Sequence, residues 1–96
     1  MSVIFKYAIT KGVGPKTFTH EMPVGARIVS VGVASGKPVF WAQCDPDAPK
    51  EKRRFIAVMT GEPFFLSGDC LGTAVVRNGP AVDGLDFVLH LFEVPS

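Results

Sequence analysis

The sequence predicts an all-β fold: a small antiparallel β-sandwich or partly closed barrel of about seven strands, with at most one short helical turn. Three observations carry this. Apolar side chains recur two apart in segment after segment, the period of a strand. No stretch holds a helical spacing for three turns. Turn-formers punctuate the chain, which has 10 Gly and 8 Pro in 96 residues, and they fall between the alternating segments. That length makes residues 1–96 a single β domain, and the 47% hydrophobic content with eight Phe is enough for a packed interior.

Residues 3–9 read as the first strand, with Val3, Phe5, Tyr7 and Ile9 on one face and Lys6 on the other. Residues 11–16 form a loop. Residues 17–22 alternate again: Phe18, His20 and Met22 oppose Thr17, Thr19 and Glu21, and Pro23 ends the strand before a turn over Val24, Gly25 and Ala26. Residues 27–35 are the most β-like piece. Val29, Val31 and Val33 share one face, and the small face of Ser30, Gly32 and Ala34 predicts close approach by another element. Ser35-Gly36-Lys37-Pro38 is a hairpin turn.

Residues 38–55 hold the only Trp and the densest charge run. They read as a β-hairpin with Asp45-Pro46-Asp47-Ala48-Pro49 at its tip. Its first arm, residues 39–44, is apolar on both faces, which predicts a central strand covered on both sides. The return strand is residues 53–60, with Phe55, Ala57 and Met59 inward. Residues 64–69 read as a short helical turn or an irregular loop carrying Phe64, Phe65 and Leu66 onto the core. Residues 71–77 are a further strand, residues 78–84 a loose connection, and residues 86–93 the last strand. Its Phe87, Leu89 and Leu91 oppose Val88, His90 and Phe92, so burial on two sides or a contact with a symmetry mate is expected, and a homodimer is one possible state. Short connections predict antiparallel neighbours.

A net charge of +1 and a pI near 7.8 give no global electrostatic reason for binding nucleic acid or an anionic membrane. No apolar run is long enough to span a bilayer, and the first residues carry no basic-then-apolar signal pattern, so a cytoplasmic location without membrane contact is expected. Cys44 and Cys70 lack metal-ligand spacing and read as reduced, buried thiols. No cofactor or metal is implied.

Four groups of residues are candidates for chemistry, each beside a plainer reading. The run containing Lys50, Lys52, Arg53 and Arg54 is a phosphate-contacting arm or a solvated strand arm that keeps an edge soluble; no aromatic residues interleave with it, which favours the second. Asp45 and Asp47, with Glu51, are a hard-cation site or ordinary turn chemistry, in which Asp bonds the backbone two residues on. His20 or His90 paired with Asp45 is a general base or a core histidine bonded through one nitrogen, and no hydrolase or nucleotide-binding motif accompanies either. Trp41 reads as a core anchor or a binding residue; Phe64 and Phe65 are candidates for a partner surface.

An ordered set of short motifs resembles a known family. They are Ile4-Phe5-Lys6-Tyr7; Glu21-Met22-Pro23-Val24-Gly25-Ala26-Arg27-Ile28; Phe40-Trp41-Ala42 leading into Asp45-Pro46-Asp47-Ala48-Pro49; Arg54-Phe55; Thr60-Gly61; Leu71-Gly72-Thr73; and His90-Leu91-Phe92-Glu93. Together they are similar to a domain of unknown function in short proteins encoded by phages, prophages and bacteria. The resemblance implies a stand-alone, cytoplasmic, phage-associated protein and supplies no catalytic residues. Cys44 and Cys70 stand outside the shared pattern.

Three functions are therefore expected in descending order. The first is a non-enzymatic interaction protein that docks on a host protein, such as a defence complex, or on itself. The second is a nucleic-acid or nucleotide binder using the basic arm with Arg27. The third is a small hydrolase using His20 or His90 with Asp45.

Overall fold

The computed structural model describes residues 1–10, 16–64, 68–77 and 86–95. Their regular structure is seven strands: β1 (Val3–Ala8), β2 (Thr17–Pro23), β3 (Arg27–Ala34), β4 (Lys37–Cys44), β5 (Lys50–Met59), β6 (Gly72–Arg77) and β7 (Asp86–Val94). They form two sheets, ordered β1-β4-β3 and β2-β5-β7-β6, in which all pairs are antiparallel. One sheet is a half-barrel, and no helix occurs among the described residues. The all-β expectation holds. The helical turn foreseen near Phe64 turns on residues 65–67, which lie outside the described residues, as do the connections at 11–15 and 78–85.

The core forms where the inward faces of the two sheets meet. The small sheet contributes Phe40, Ala42 and Cys44 from β4, flanked by Tyr7 from β1 and Ile28 and Val31 from β3. The large sheet contributes Met22, Phe55, Ala57 and Leu91, with Phe18 beside them. Phe40 and Phe55 are fully buried and meet ring to ring at 4.9 Å between centroids. Each withdraws a whole aromatic side chain from water, worth about 1.5–3 kcal/mol apiece. Tyr7 stacks on Phe40 and Phe18 on Phe55, so the contact extends outward within each sheet.

One expectation is overturned. β4 and β5 are not the arms of a hairpin; they lie in different sheets. β4 is bonded on both sides, by β1 and by β3, and has no edge left for β5. The turn at residues 45–49 therefore carries the chain from one sheet to the other, and β5 pairs with β2 and β7 instead. The foreseen hairpin at Ser35 and Gly36 is real. Both residues have positive φ, 53° and 75°, as a two-residue hairpin turn requires, and Ala34 faces Lys37 across it.

Three further placements differ from the alternating pattern. A bulge between Ile28 and Ser30 inserts one extra residue in β3. Ile28 and Val31 then both pack on the core, while Val29 turns to solvent at 45% exposure. β5 begins at Lys50 rather than at residue 53, so the charge run is strand. Ile56 and Val58 are buried as well as Phe55 and Ala57, so β5 is covered on both faces. Residues 60–64 fold back over its outer side: Phe64 packs on Phe92 at 5.1 Å and Thr60 Oγ1 lies 2.9 Å from His90 Nε2. Phe92 and His90 are the cross-strand partners of Ile56 and Val58.

The sheets close on each other along β3 and β6 through one glycine. A Cβ at Gly72 would stand 2.5 Å from Val31 Cγ2 and 2.7 Å from its Cβ. Val is branched at that atom and cannot swing away. Gly72→Ala is therefore expected to lower unfolding stability by about 1–2 kcal/mol, the overpacking loss exceeding the chain-entropy gain. Urea unfolding checks this, with a lower midpoint and an unchanged m-value expected.

Candidate functional site

The outer face of the small sheet sets apolar side chains among polar ones. The register places Ile4, Gln43 and Arg27 in one row, Lys6, Trp41 and Ser30 in the next, and Ala8, Val39 and Gly32 in a third. Trp41 thus lies on the face away from the core and is half-buried, which corrects its reading as a core anchor. It lies across Gly32, where a Cβ would come 3.2 Å from Trp41 Cζ3. The small side chains of β3 do admit a close neighbour, and that neighbour is this indole. Ile4 is 55% exposed on the same face, and Val29, the extra residue of the bulge, is 45% exposed. Arg27 is fixed by a hydrogen bond from Nη2 to Gln43 Oε1 at 3.1 Å. β4 is central as expected, but only its inward face is covered by the other sheet.

Strand geometry splits the basic run between two faces. Arg53 points inward, where Nε and Nη2 each donate to a Glu93 carboxylate oxygen at 2.7 Å and Nη1 donates to the Ala26 carbonyl. The pair is half-buried, and Arg53 lies over the Phe55 ring. The hydrogen bond to Glu93 raises the Arg53 pKa beyond its already high ordinary value, and the Glu93 and Glu51 charges add to this against the burial. Lys52 and Arg54 project outward, with Thr19 and Val94 as neighbours of Arg54. Lys50 reaches the Phe5 ring at 5.9 Å. A groove of about 420 Å³ runs past Thr19, Glu51, Lys52, Arg54 and Glu93. Its charge is mixed.

The remaining candidates do not assemble into a reactive group. Asp45 Oδ1 accepts the Asp47 N–H at 3.0 Å, the turn chemistry foreseen from Asp-Pro-Asp. His20 Nε2 lies 2.7 Å from the Ala8 carbonyl and its ring sits among Tyr7, Phe18 and Phe40. His90 has Thr60 and Thr73 hydroxyls on its two nitrogens. Neither histidine contacts Asp45, so the general-base pair is not formed. Phe64 is half-buried on Phe92, on the opposite sheet from Trp41, and Phe65 lies outside the described residues. The face of Val88, His90 and Phe92 is occupied in part by the chain's own residues 60–64. Both thiols are free; Cys44 is buried, but Cys70 is exposed, contrary to expectation, because it lies in the loop before β6.

A family model described as a domain of unknown function, DUF7352, matches residues 1–96. The chain belongs to the DUF7352 family. No curated protein and no solved structure matches it.

Two features of this DUF7352 chain escaped sequence reasoning. The first is the Arg53–Glu93 pair, which joins residues 40 apart in sequence. The signal was present as a charge at an inward position in each of two strands. The second is Tyr7, the only tyrosine. Burial raises its pKa above 10.0, and the neighbouring Cys44 thiol raises it further.

The signs of both effects fix what pH does. A raised Tyr7 pKa means the fold holds its proton after the unfolded chain has lost it, so stability falls as pH rises above 10.0. The raised Arg53 pKa keeps the guanidinium charged throughout that range, so it adds no slope at lower pH. Ultraviolet titration of the single phenol is expected to show a midpoint above 10.0, returning to the ordinary value in denaturant. Glu93→Gln keeps the shape and removes the charge; a loss of about 1–3 kcal/mol in chemical unfolding is expected, since Arg53 is left half-buried without its counter-ion.

Proposed function

We propose that this DUF7352 protein is a small, non-enzymatic, phage-associated interaction module, which works in the host cytoplasm by docking on another protein; interference with a host defence complex is one such role. The observation that carries the reading is the outer face of the small sheet, where Ile4 stands exposed on the face that carries a half-buried Trp41. Aromatic and aliphatic side chains with an arginine at the margin are the composition of a binding hot spot. Arg27 supplies that margin, held ready by Gln43. The resemblance of the motif set to phage and prophage proteins is the ground for the association. The histidine partners support a role without catalysis, since the rings bond a carbonyl or hydroxyls.

A second reading rests on Lys52 and Arg54. They share one face of β5, and among the described residues neither has an ion-pair partner. Two such cations suit a phosphate backbone, but the groove beside them also carries Glu51 and Glu93. The protein-docking reading is favoured for that reason.

Affinity capture from host lysate separates the two. A specific protein is expected to be retained by the wild type and lost at least tenfold with Trp41→Ala, while Lys52→Ala/Arg54→Ala retains it. Salt-sensitive retention of an oligonucleotide, abolished by the Lys52/Arg54 pair and indifferent to Trp41, would support the second reading and overturn the first.

A further inference from the structure

We infer that the free edge of β1 is a strand-addition site that takes a second copy of this chain, pairing β1 with β1 of its partner antiparallel about Phe5. The backbone directions follow from two hydrogen bonds. Ile9 N–H donates to the Pro38 carbonyl at 3.1 Å, and the β1–β4 register continues to that pair from Ala8 and Val39. Ile9 is thus of the hydrogen-bonded kind, and so, by alternation, are Tyr7, Phe5 and Val3. The N–H and C=O groups of Ile4, Lys6 and Ala8 must point away from β4. The structure bears this out at Ala8, whose carbonyl meets His20 of β2 at 2.7 Å. The outward groups of Ile4 and Lys6 have no protein partner among the described residues.

The other three edges are protected more strongly than this one, whose outward row holds only Lys6 against pairing. The outward row of β2 follows from Val24 N–H donating to the Pro49 carbonyl, and it contains Glu21 and ends at Pro23, which has no N–H. β3 carries its bulge, and the edge of β6 lies under Val31 at Gly72. β1 has no proline, no bulge and a single charge.

Self-pairing about Phe5 fits what this strand displays. Ile4 then faces Lys6 of the copy, and Lys6 faces its Ile4, so each pair exchanges both bonds and no lysine opposes a lysine. Phe5, 36% exposed although it points to the core side, meets its own copy in the close, non-hydrogen-bonded position. A net charge of +1 raises no barrier to association. The dimer would join two Trp41 faces into one surface, but its formation does not rest on the docking role. A contact along one strand edge is small, so the dimer should depend on concentration.

Light scattering under reducing conditions, which removes any cross-link through exposed Cys70, tests this together with amide exchange followed by NMR. The mass is expected to rise from 10.3 kDa toward twice that value with concentration. Ile4 and Lys6 amides should exchange fast when dilute and slowly when concentrated, while Phe5 and Tyr7 stay protected throughout. Ile4→Pro, which removes only an outward N–H, should keep the fold and the monomer mass. A wild type that stays at 10.3 kDa at all concentrations overturns the inference. So does a dimer whose Ile4 and Lys6 exchange ignores concentration, or a folded Ile4→Pro variant that dimerises like the wild type.

Discussion

The contact on which the structure depends is Phe40 against Phe55, one ring from each sheet, both sealed from water. A domain of this length has room for one core, and two sheets without a shared core would each expose an apolar face. The pairing pattern explains why these residues take the central place. β4 is the middle strand of its sheet and β5 an interior strand of the other, so both rings start from positions flanked on each side by a bonded neighbour. Tyr7 and Phe18 then stack on them from those neighbours, β1 and β2. The inward alternation of four strands converges on one aromatic stack.

Polar groups are placed around this stack rather than in it, and each has a defined task. Arg53 spans from β5 to Glu93 on β7 and to the Ala26 carbonyl at the start of β3, tying the large sheet to the β2–β3 turn. His20 bridges from the large sheet to the end of β1. Among the described residues no buried side-chain polar atom lacks a partner. Unpaired polar atoms at depth cost more than the bonds return, so polar side chains at the edge of the core are bonded. The same arrangement leaves the histidines engaged in structural bonds and leaves open the far side of the small sheet, which carries Trp41.

Period-two spacing made the strands and most turns legible, since it reports which side of a strand each residue occupies. It does not report which strand lies alongside. Residues 38–55 look like a hairpin because two apolar arms flank a turn, and the same pattern serves equally for a chain that leaves one sheet and enters another. Deciding between them needs to know that β1 and β3 already occupy both edges of β4, which is long-range information. Trp41 failed for a related reason: β4 is apolar on both faces, so alternation does not say which face meets the core, and only the glycine opposite makes room for the indole outside. Val29 fell out of phase through a bulge that has no Gly or Pro to announce it. Arg53 was hidden inside a charge run whose alternate members face opposite ways. The Asp45 turn was readable because its chemistry is local.

The claim most exposed to test is that the two sheets meet through Phe40 and Phe55 while their strands are not neighbours. A nuclear Overhauser spectrum of the labelled protein reads both halves at once. The account predicts ring-to-ring contacts between Phe40 and Phe55, with backbone contacts from β5 running to Phe18 on β2 and Glu93 on β7. Backbone contacts between β4 and β5, such as from Trp41 to Arg54, would show a hairpin in place of a crossing between sheets and would contradict it.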